Sequence, residues 1–441
     1  MMKRYFMWGM GALTAVFLLA FIQPTYATTE AVATPQEEIL LEGEIDGANY
    51  RIRVPDGWDG QTLVVYAHGY RDKADQPGQT DNRSADAAPS GEEGEQAFLD
   101  RGYAIAGSSY KDNGWAVEEG VVDTHALVQF FEQEIGAAEE TILLGASMGG
   151  LITLTSMERH PDVYDGALAL CAPGSGAPTA WDAALVTALA YDVTFGWPES
   201  WGTVQDVRDD VGFEADVGTP LFFQTLDPNN RGKFEFMRLV TGNTPEDFMS
   251  GNNWLFVTMF YTTEARAELE RRADGPVTQN RNHIYRLSEA DKQYLATLNI
   301  DADALLAEMN GRTSYSAPAA SRAYVAANAS LSGAITRPIF TLHTSDDGLV
   351  PVNHMAVYQE LVADAGMSDY LYQAYTESVG HCTFTEEQML LALTELENWM
   401  ATGERPSDAA FTAEMGFLQD YMPPAWPIWF KQFVNLPIIR R

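Results

Sequence analysis

Positive charge is scarce in this sequence. Lysine and arginine together number 27 against 62 aspartates and glutamates, so the formal net charge of the 441 residues is −35 at pH 7. A surface this negative repels nucleic acid and anionic membranes. We therefore expect no nucleic acid among the partners of the protein.

Cysteine is scarce too, and the chain has only Cys171 and Cys382. Two cysteines without clustered histidines give poor support to a metal site, so no metal is predicted. The sequence also lacks a glycine-rich phosphate loop and a nicotinamide fingerprint, and we predict no cofactor. In an exported protein two cysteines are more often paired than free, although a sequence alone does not prove the pair.

A long apolar run occurs at the amino terminus, over residues 6–22. Lys3 and Arg4 precede it, and small residues follow it up to Ala27. This order is typical of a signal peptide cleaved after Ala27. We therefore predict that residues 1–27 are removed and that the protein is secreted or periplasmic, without stable membrane insertion after cleavage. The alternative is an uncleaved anchor, for which the run is slightly short.

The sequence contains one stretch with a clear chemical signature, the Gly-x-Ser-x-Gly motif of residues 145–149. Apolar residues 142–144 before it predict a buried strand, and residues 151–159 after it predict a helix. A strand, a sharp turn and a helix are the context of a nucleophile elbow, which holds its serine in a strained conformation. Gly145 and Gly149 supply the room that this turn needs. We predict Ser147 as the nucleophile.

Predicted strands and helices alternate over residues 36–173 and again over residues 337–403, which indicates a mostly parallel sheet covered on both faces. Residues 174–336 lack such strands and are rich in aromatic residues and amphipathic helical spans. We interpret them as a large, mainly helical cap, inserted after the strand that follows the nucleophile helix. Residues 404–441 form a C-terminal tail that we expect to cover part of the body, with a membrane-surface anchor as the alternative.

A serine hydroxyl becomes nucleophilic only when a base takes its proton and a carboxylate orients that base. Of the seven histidines, His381 lies in a loop between a predicted strand and a predicted helix late in the chain. Asp346 and Asp347 are both predicted to lie in the turn after a buried strand, and one of them could simply be a turn residue or a helix cap. We choose Asp347 as the acid, because the segment after it leads into the next helix, and His381 as the base.

The tetrahedral intermediate of acyl transfer needs two backbone N–H donors. Met148 follows the nucleophile at the start of its helix and is predicted to supply one donor. The other is predicted to come from the turn after His68 and Gly69, from Tyr70. An ordinary strand-ending turn is the alternative interpretation of that segment.

Taken together, residues 145–150, the His68-Gly69 pair, residues 347–351 and the Gly380-His381 pair resemble the α/β-hydrolase superfamily. The resemblance implies an α/β-hydrolase fold, in which serine, acid and histidine follow one another in this chain order. The neighbours His381 and Cys382 are similar to the His-Cys pair of secreted feruloyl esterases and tannases, whose cysteine bonds to one just before the nucleophile. Ala146 occupies that position here, which leaves Cys171 as the partner of a Cys171–Cys382 disulfide.

The predicted function is a secreted serine esterase, which cleaves a small-molecule carboxylic ester through an acyl-enzyme on Ser147. One alternative is a secreted serine peptidase that resembles the prolyl-oligopeptidase or tripeptidyl-aminopeptidase-like branches. For it, Glu264, Glu268 and Glu270 of the cap could bind a peptide terminus, but they could equally form a solvated helix face. Another alternative is a noncatalytic binding protein on a hydrolase scaffold. The oligomeric state is not predicted.

Overall fold

A computed structural model of the chain describes residues 38–73, 81–243, 254–281 and 283–426. The predicted signal peptide, residues 1–27, and the end of the tail beyond residue 426 lie outside the described residues. Within them, no helix combines the length and the apolarity that crossing a bilayer requires.

The centre of the molecule is an eight-stranded sheet with the strand order β1-β2-β4-β3-β5-β6-β7-β8. In chain order the strands are β1 (Ile39–Ile45), β2 (Ala48–Val54), β3 (Thr62–Ala67), β4 (Ala104–Ser108), β5 (Glu140–Ala146), β6 (Gly166–Leu170), β7 (Ile339–Asp346) and β8 (Leu371–Val379). The first two strands pair antiparallel with each other, and β2 pairs antiparallel with β4. From β4 to β8 all the pairs are parallel, so the predicted mostly parallel sheet is confirmed.

Helices cover this sheet and fill the long connection between β6 and β7. In chain order they are α1 (Glu92–Leu99), α2 (Val117–Glu134), α3 (Met148–Arg159), α4 (Ala177–Phe195), α5 (Thr219–Thr225), α6 (Arg231–Thr241), α7 (Trp254–Thr262), α8 (Glu264–Arg272), α9 (Glu289–Thr297), α10 (Ala302–Asn310), α11 (Ala319–Ala329), α12 (Asn353–Asp364) and α13 (Glu386–Thr402).

Successive side chains of a strand point to opposite faces of the sheet, so the core has two faces. Leu143 on β5 faces a buried cluster that includes side chains of α2, α3 and α12. Its neighbours Ile142 and Leu144 face a second cluster, which includes side chains of α1 and α13. Because successive side chains of a strand point to opposite faces, a continuous apolar strand requires helices on both sides.

The cap comprises α4 to α11 and has a hydrophobic core of its own. Trp201, Trp254, Phe234 and Phe236 are fully buried in that core. The predicted helical insertion after β6 is therefore confirmed, and many of its aromatic residues stabilise the cap itself. The described part of the tail lies against the sheet, where Phe417 forms a β-bridge with Thr376 of β8.

The interpretation of Glu264, Glu268 and Glu270 as a solvated helix face is wrong. These three glutamates of α8 are 1%, 1% and 3% exposed. The sequence pattern suggested solvent exposure because charged side chains are rarely buried without partners. Here the partners come both from α8 itself, through Arg266 and Arg272, and from segments distant in sequence, such as Trp115.

Candidate active site

The turn between β5 and α3 holds Ser147 in the backbone conformation that a nucleophile elbow requires. Ser147 has φ 60° and ψ −122°, a region that a residue with a β-carbon rarely occupies. A β-carbon at position 149 would lie 1.9 Å from the carbonyl oxygen of Ala67, and one at position 145 would lie 2.2 Å from that of Gly149. Both positions therefore require glycine, as the motif predicts.

The structure brings Ser147, Asp347 and His381 together in one chain of hydrogen bonds. His381 Nε2 lies 2.8 Å from Ser147 Oγ, and His381 Nδ1 lies 2.7 Å from Asp347 Oδ2. A carboxylate can only accept, so Nδ1 carries the ring proton and Nε2 is free to accept the serine proton. Ionised Asp347 thus selects the tautomer of His381 that can act as a base.

Asp347 is completely buried, at 0% exposure, and its second oxygen is also paired. Oδ1 accepts hydrogen bonds from the backbone N–H groups of Leu349 and Val350, both at 2.9 Å. These hydrogen bonds hold the carboxylate in place, with Oδ2 directed at His381. Asp346, in contrast, is the last residue of β7 rather than a residue of the turn, and its carbonyl accepts the N–H of Gly380 at 2.9 Å.

His343 on β7 supports the acid loop, a contribution that the sequence analysis missed. Its Nε2–H donates to the carbonyl of Val350 at 2.8 Å, and the same atom lies 3.7 Å from Asp347 Oδ2. Burial lowers the pKa of His343, so the ring is neutral and leaves the charge of Asp347 available to His381. A histidine four residues before the acid, on the strand that leads to it, was the signal that could have revealed this.

A disulfide joins Cys171, the residue after β6, to Cys382, the residue after the base. Their Cα atoms are 5.4 Å apart, and the bond ties the histidine loop to the sheet beside the strand that precedes the elbow. These two sulfurs and His381 are close enough together to resemble a metal site. Because the sulfurs are bonded to each other, they are not the thiolates that a metal ion would need.

The backbones of Met148 and of Gly69, the residue before Tyr70, lie next to the nucleophile. Helix α3 begins at Met148, so the N–H of this residue has no acceptor within the helix. A β-carbon at position 69 would lie 3.2 Å from Ser147 Cβ and 3.7 Å from its Oγ. The chain that leads into Tyr70 therefore passes directly alongside Ser147, as close as glycine allows.

A second buried histidine fixes this segment. His68 Nδ1–H donates to the carbonyl of Gly69 at 2.7 Å, and its ring stacks on Tyr110 with centroids 3.9 Å apart. Tyr110 in turn donates its hydroxyl proton to the carbonyl of His68 at 3.1 Å. Burial lowers the pKa of His68 to about 3, so the ring stays neutral. Tyr110 carried no signal in the sequence, because it lies 42 residues from its partner.

A cavity opens beside Ser147 and Met148, between the core and the cap. The segment 349–354 lines one part of it, and side chains of α4 and α7 line another. Its aromatic lining consists of Trp115, Trp181, Tyr261 and Trp426. None of the described residues that line this cavity carries a charge.

Similar proteins are hydrolases. Residues 108–201 match the family model of the S33 serine aminopeptidases. A curated relative, o-phthalyl amidase of Xanthobacter agilis, is 22% identical over 409 residues, which cover 82% of this chain and 87% of that protein.

Two solved structures are among those similar to this chain. An esterase of Pyrococcus furiosus is 13% identical, with a TM-score of 0.38, over 82% of this chain and 93% of that one. Feruloyl esterase B of Aspergillus oryzae is 12% identical, with a TM-score of 0.39, over 84% of this chain and 81% of that one. The strand order, the strained elbow and the inserted cap give this chain the α/β-hydrolase fold.

Proposed function

We propose that this chain, a hydrolase of the α/β-hydrolase superfamily, cleaves carboxylic esters through an acyl-enzyme on Ser147. The observation that carries the proposal is the unbroken hydrogen-bond chain from Ser147 through His381 to Asp347, with distances of 2.8 Å and 2.7 Å. Nucleophile, base and orienting carboxylate are the parts that acyl transfer to serine requires.

In the acylation step, Ser147 Oγ attacks the ester carbonyl carbon while its proton moves to His381 Nε2. The carbonyl π electrons move to oxygen, and the resulting oxyanion accepts hydrogen bonds from the N–H groups of Met148 and Tyr70. When the tetrahedral intermediate collapses, the bond between carbon and the leaving oxygen breaks. The imidazolium of His381, stabilised by Asp347, returns the proton to that oxygen and an alcohol departs.

Deacylation repeats these steps with water as the nucleophile. His381 Nε2 takes a proton from water, and the oxygen of that water attacks the acyl carbon. The second intermediate releases Ser147 Oγ, which regains its proton from His381, and the carboxylic acid leaves. The same two backbone donors stabilise the oxyanion in both steps.

The buried state of the α8 glutamates supports ester cleavage over aminopeptidase activity. Glu268 accepts the N–H of Trp115 at 2.8 Å and also pairs with Arg272. Glu270 pairs with Arg266 at 2.8 Å. Because these carboxylates are already engaged and buried, they are not available to bind a peptide amino terminus.

Hydrolysis of an amide is the second candidate function. The curated relative is named an amidase, and the matching family model describes serine aminopeptidases. Amide and ester cleavage share the acyl-enzyme and differ in the leaving group, because an amine must be protonated as it departs. Kinetic comparison is therefore needed to separate the two.

Parallel assays distinguish these functions. We expect kcat/KM for p-nitrophenyl esters to exceed that for aminoacyl anilides and for simple aryl amides, and a reversed order would favour the second candidate. A fluorophosphonate probe should label the wild-type protein and fail to label Ser147→Ala. Absence of labelling in the wild type would instead support the noncatalytic alternative.

Export from the cytoplasm is part of the proposal. Two features support it: the basic and apolar pattern of residues 1–27, and the disulfide beside the base, a bond that is rare in reducing compartments. Mass spectrometry of the mature protein should show that residues 1–27 have been removed and that no free thiol remains. A protein that retains residues 1–27 and titrates with two thiols would contradict this part.

A further inference from the structure

The cavity beside Ser147 lies on the acyl side of the reaction. His381 must give its proton to the leaving group, so that group has to depart next to the imidazole. Ser147 and Met148 line the cavity, whereas His381 is not among its lining residues. The part of the substrate that enters the cavity is therefore the acyl group, which stays bonded to Ser147 after the alcohol leaves.

The lining of the cavity is aromatic and uncharged. Trp181 packs edge to face against Trp115, with centroids 5.0 Å apart, and Tyr261 lies 6.1 Å from Trp181. Such surfaces favour a flat apolar ring. His354 also lines the cavity, and burial lowers its pKa well below the ordinary 6.5, so this ring is neutral as well. A carboxylate in this cavity would lose its hydration without meeting a described cation.

Most polar side chains of the lining are already satisfied within the protein. The hydroxyls of Thr187, Thr258 and Thr262 each donate to a carbonyl of their own helix. His354 Nδ1 is bonded to Ser175 Oγ at 2.8 Å. These groups have little capacity left with which to select a polar substituent.

Three lining side chains, in contrast, have a buried polar atom without a hydrogen-bond partner among the described residues. They are Trp181, through its indole Nε1–H, and Asn243 and Asn353, each through its amide Oδ1. Trp181 and Asn353 are 3% exposed, and Asn243 is 6% exposed. An unpaired buried polar atom is destabilising, and a ligand able to pair with it would remove that cost. The indole offers a donor, and each amide offers an acceptor.

We propose, on the basis of the proposed function, that the cavity selects an uncharged aromatic acyl group whose hydroxyl-type substituent pairs with Trp181 and Asn353, and that it rejects acyl groups bearing a carboxylate. A hydroxyl both donates and accepts, so it can accept from the indole N–H and donate to an amide oxygen. The rejected class includes the phthalyl group, an aromatic acyl group with its own carboxylate. The proposed specificity therefore differs from what the name of the curated amidase implies for that protein.

The test keeps the leaving group constant and varies the acyl group. p-Nitrophenyl esters of benzoic, 3-hydroxybenzoic, 4-hydroxybenzoic and 4-carboxybenzoic acid are compared, with each kcat/KM divided by the alkaline hydrolysis rate of the same ester. We expect at least one hydroxybenzoate to exceed benzoate by about 10-fold, which corresponds to one net hydrogen bond. The carboxybenzoate should fall about 100-fold below benzoate.

Variants identify the groups responsible. In Trp181→Phe, which keeps an aromatic ring but loses the N–H, and in Asn353→Leu, the preference for the hydroxybenzoate should fall towards one. Trp197→Phe is the matched control, because Trp197 also has a buried unpaired indole N–H but is not among the lining residues. Its preference should equal that of the wild type.

Three outcomes would overturn the inference: equal normalised rates for all four esters, preferred turnover of the carboxybenzoate, or a preference that persists in Trp181→Phe, even if Asn353→Leu fails to fold. Turnover of p-nitrophenyl acetate and fluorophosphonate labelling report on the proposed function separately. If both are absent from the wild type, the proposed function fails. If both are present while selectivity is absent, only the cavity inference fails.

Discussion

The surroundings of the nucleophile and the cap helix α8 bury their polar side chains in different ways. Around the nucleophile, the supporting groups are neutral histidines, His68 and His343, which donate to backbone carbonyls. In the cap, helix α8 buries charged groups, with Arg266 at 0% and Glu270 at 3% exposure. Neutral hydrogen bonds thus position the backbone beside the nucleophile, whereas ion pairs stabilise α8 in the cap.

This difference separates two tasks. Neutral supports add no cation that would compete with His381 for the carboxylate of Asp347. In the cap, Glu268 pairs with Arg272 and accepts the N–H of Trp115, which lines the cavity. A buried pair adds little net stability, but removal of one partner leaves an uncompensated charge. Substitutions in the core should therefore affect rate first, and substitutions in the cap should affect stability first.

The largest expected effect is on rate, in the core. In Asp347→Asn, the neutral amide can stabilise the wrong tautomer of His381, so kcat for p-nitrophenyl acetate should fall by about 10⁴-fold. Thermal unfolding should show that the variant remains folded. Asp346→Asn is the matched control, because it makes the same substitution one residue away and leaves the hydrogen bond between Asp347 and His381 Nδ1 in place. Equal losses in the two variants would contradict the assignment of Asp347.

The next effect is on stability, in the cap. Arg266 pairs with Glu270 at 2.8 Å and donates to the carbonyls of Val204 and Gln205. Arg266→Leu leaves this buried carboxylate without its cation and both carbonyls without this donor, so we expect a loss of about 3–5 kcal/mol in the free energy of unfolding. Urea denaturation measures it.

Controls for this prediction lie in the same domain. The double variant Arg266→Met with Glu270→Leu removes both charges and should recover much of the loss. Lys292→Gln, at an exposed cap ion pair, should change the denaturation midpoint far less. If Arg266→Leu were no less stable than Lys292→Gln, ion pairs would not hold the cap.

The smallest expected effect is a pH dependence in the core. The folded pKa of His68 is about 3, below its ordinary value of 6.5. As pH falls below 6.5, the unfolded state binds a proton that the folded state does not, so stability is lost, at up to about 1.4 kcal/mol per pH unit. His68→Asn keeps a side-chain N–H but no titrating ring. Between pH 7 and pH 5, the free energy of unfolding of the variant should therefore fall by roughly 2 kcal/mol less than that of the wild type. Urea denaturation at the two pH values measures this difference, and an equal loss of stability in the two proteins would contradict it.

Local signals explain why the candidate site could be predicted from the sequence. Ser147 and Asp347 each follow a strand of the parallel sheet directly, and His381 follows β8 after Gly380. Carboxyl ends of parallel strands meet at one edge of the sheet. A short motif around each residue therefore sufficed to predict its neighbourhood. The fold could be predicted for the same reason, because predicted strands and helices alternate along the sequence.

The contacts that support the site and the cap could not be predicted, because they join residues distant in sequence. Arg272 of α8 pairs with Asp112 and Glu119, which are 160 and 153 residues away. No periodicity along α8 distinguishes carboxylates that meet such partners from carboxylates that face water. The support from Tyr110 to His68 and the unpaired atoms of the cavity are equally nonlocal.

The most direct test of the central claim is to trap the acyl-enzyme. Wild-type protein mixed with p-nitrophenyl benzoate and quenched in acid within one turnover should carry a benzoyl group on the peptide that contains Ser147, as read by mass spectrometry. Ser147→Ala should carry none and release no burst of p-nitrophenol. Continued ester turnover by Ser147→Ala, or a benzoyl group on another residue of the active wild type, would contradict the account.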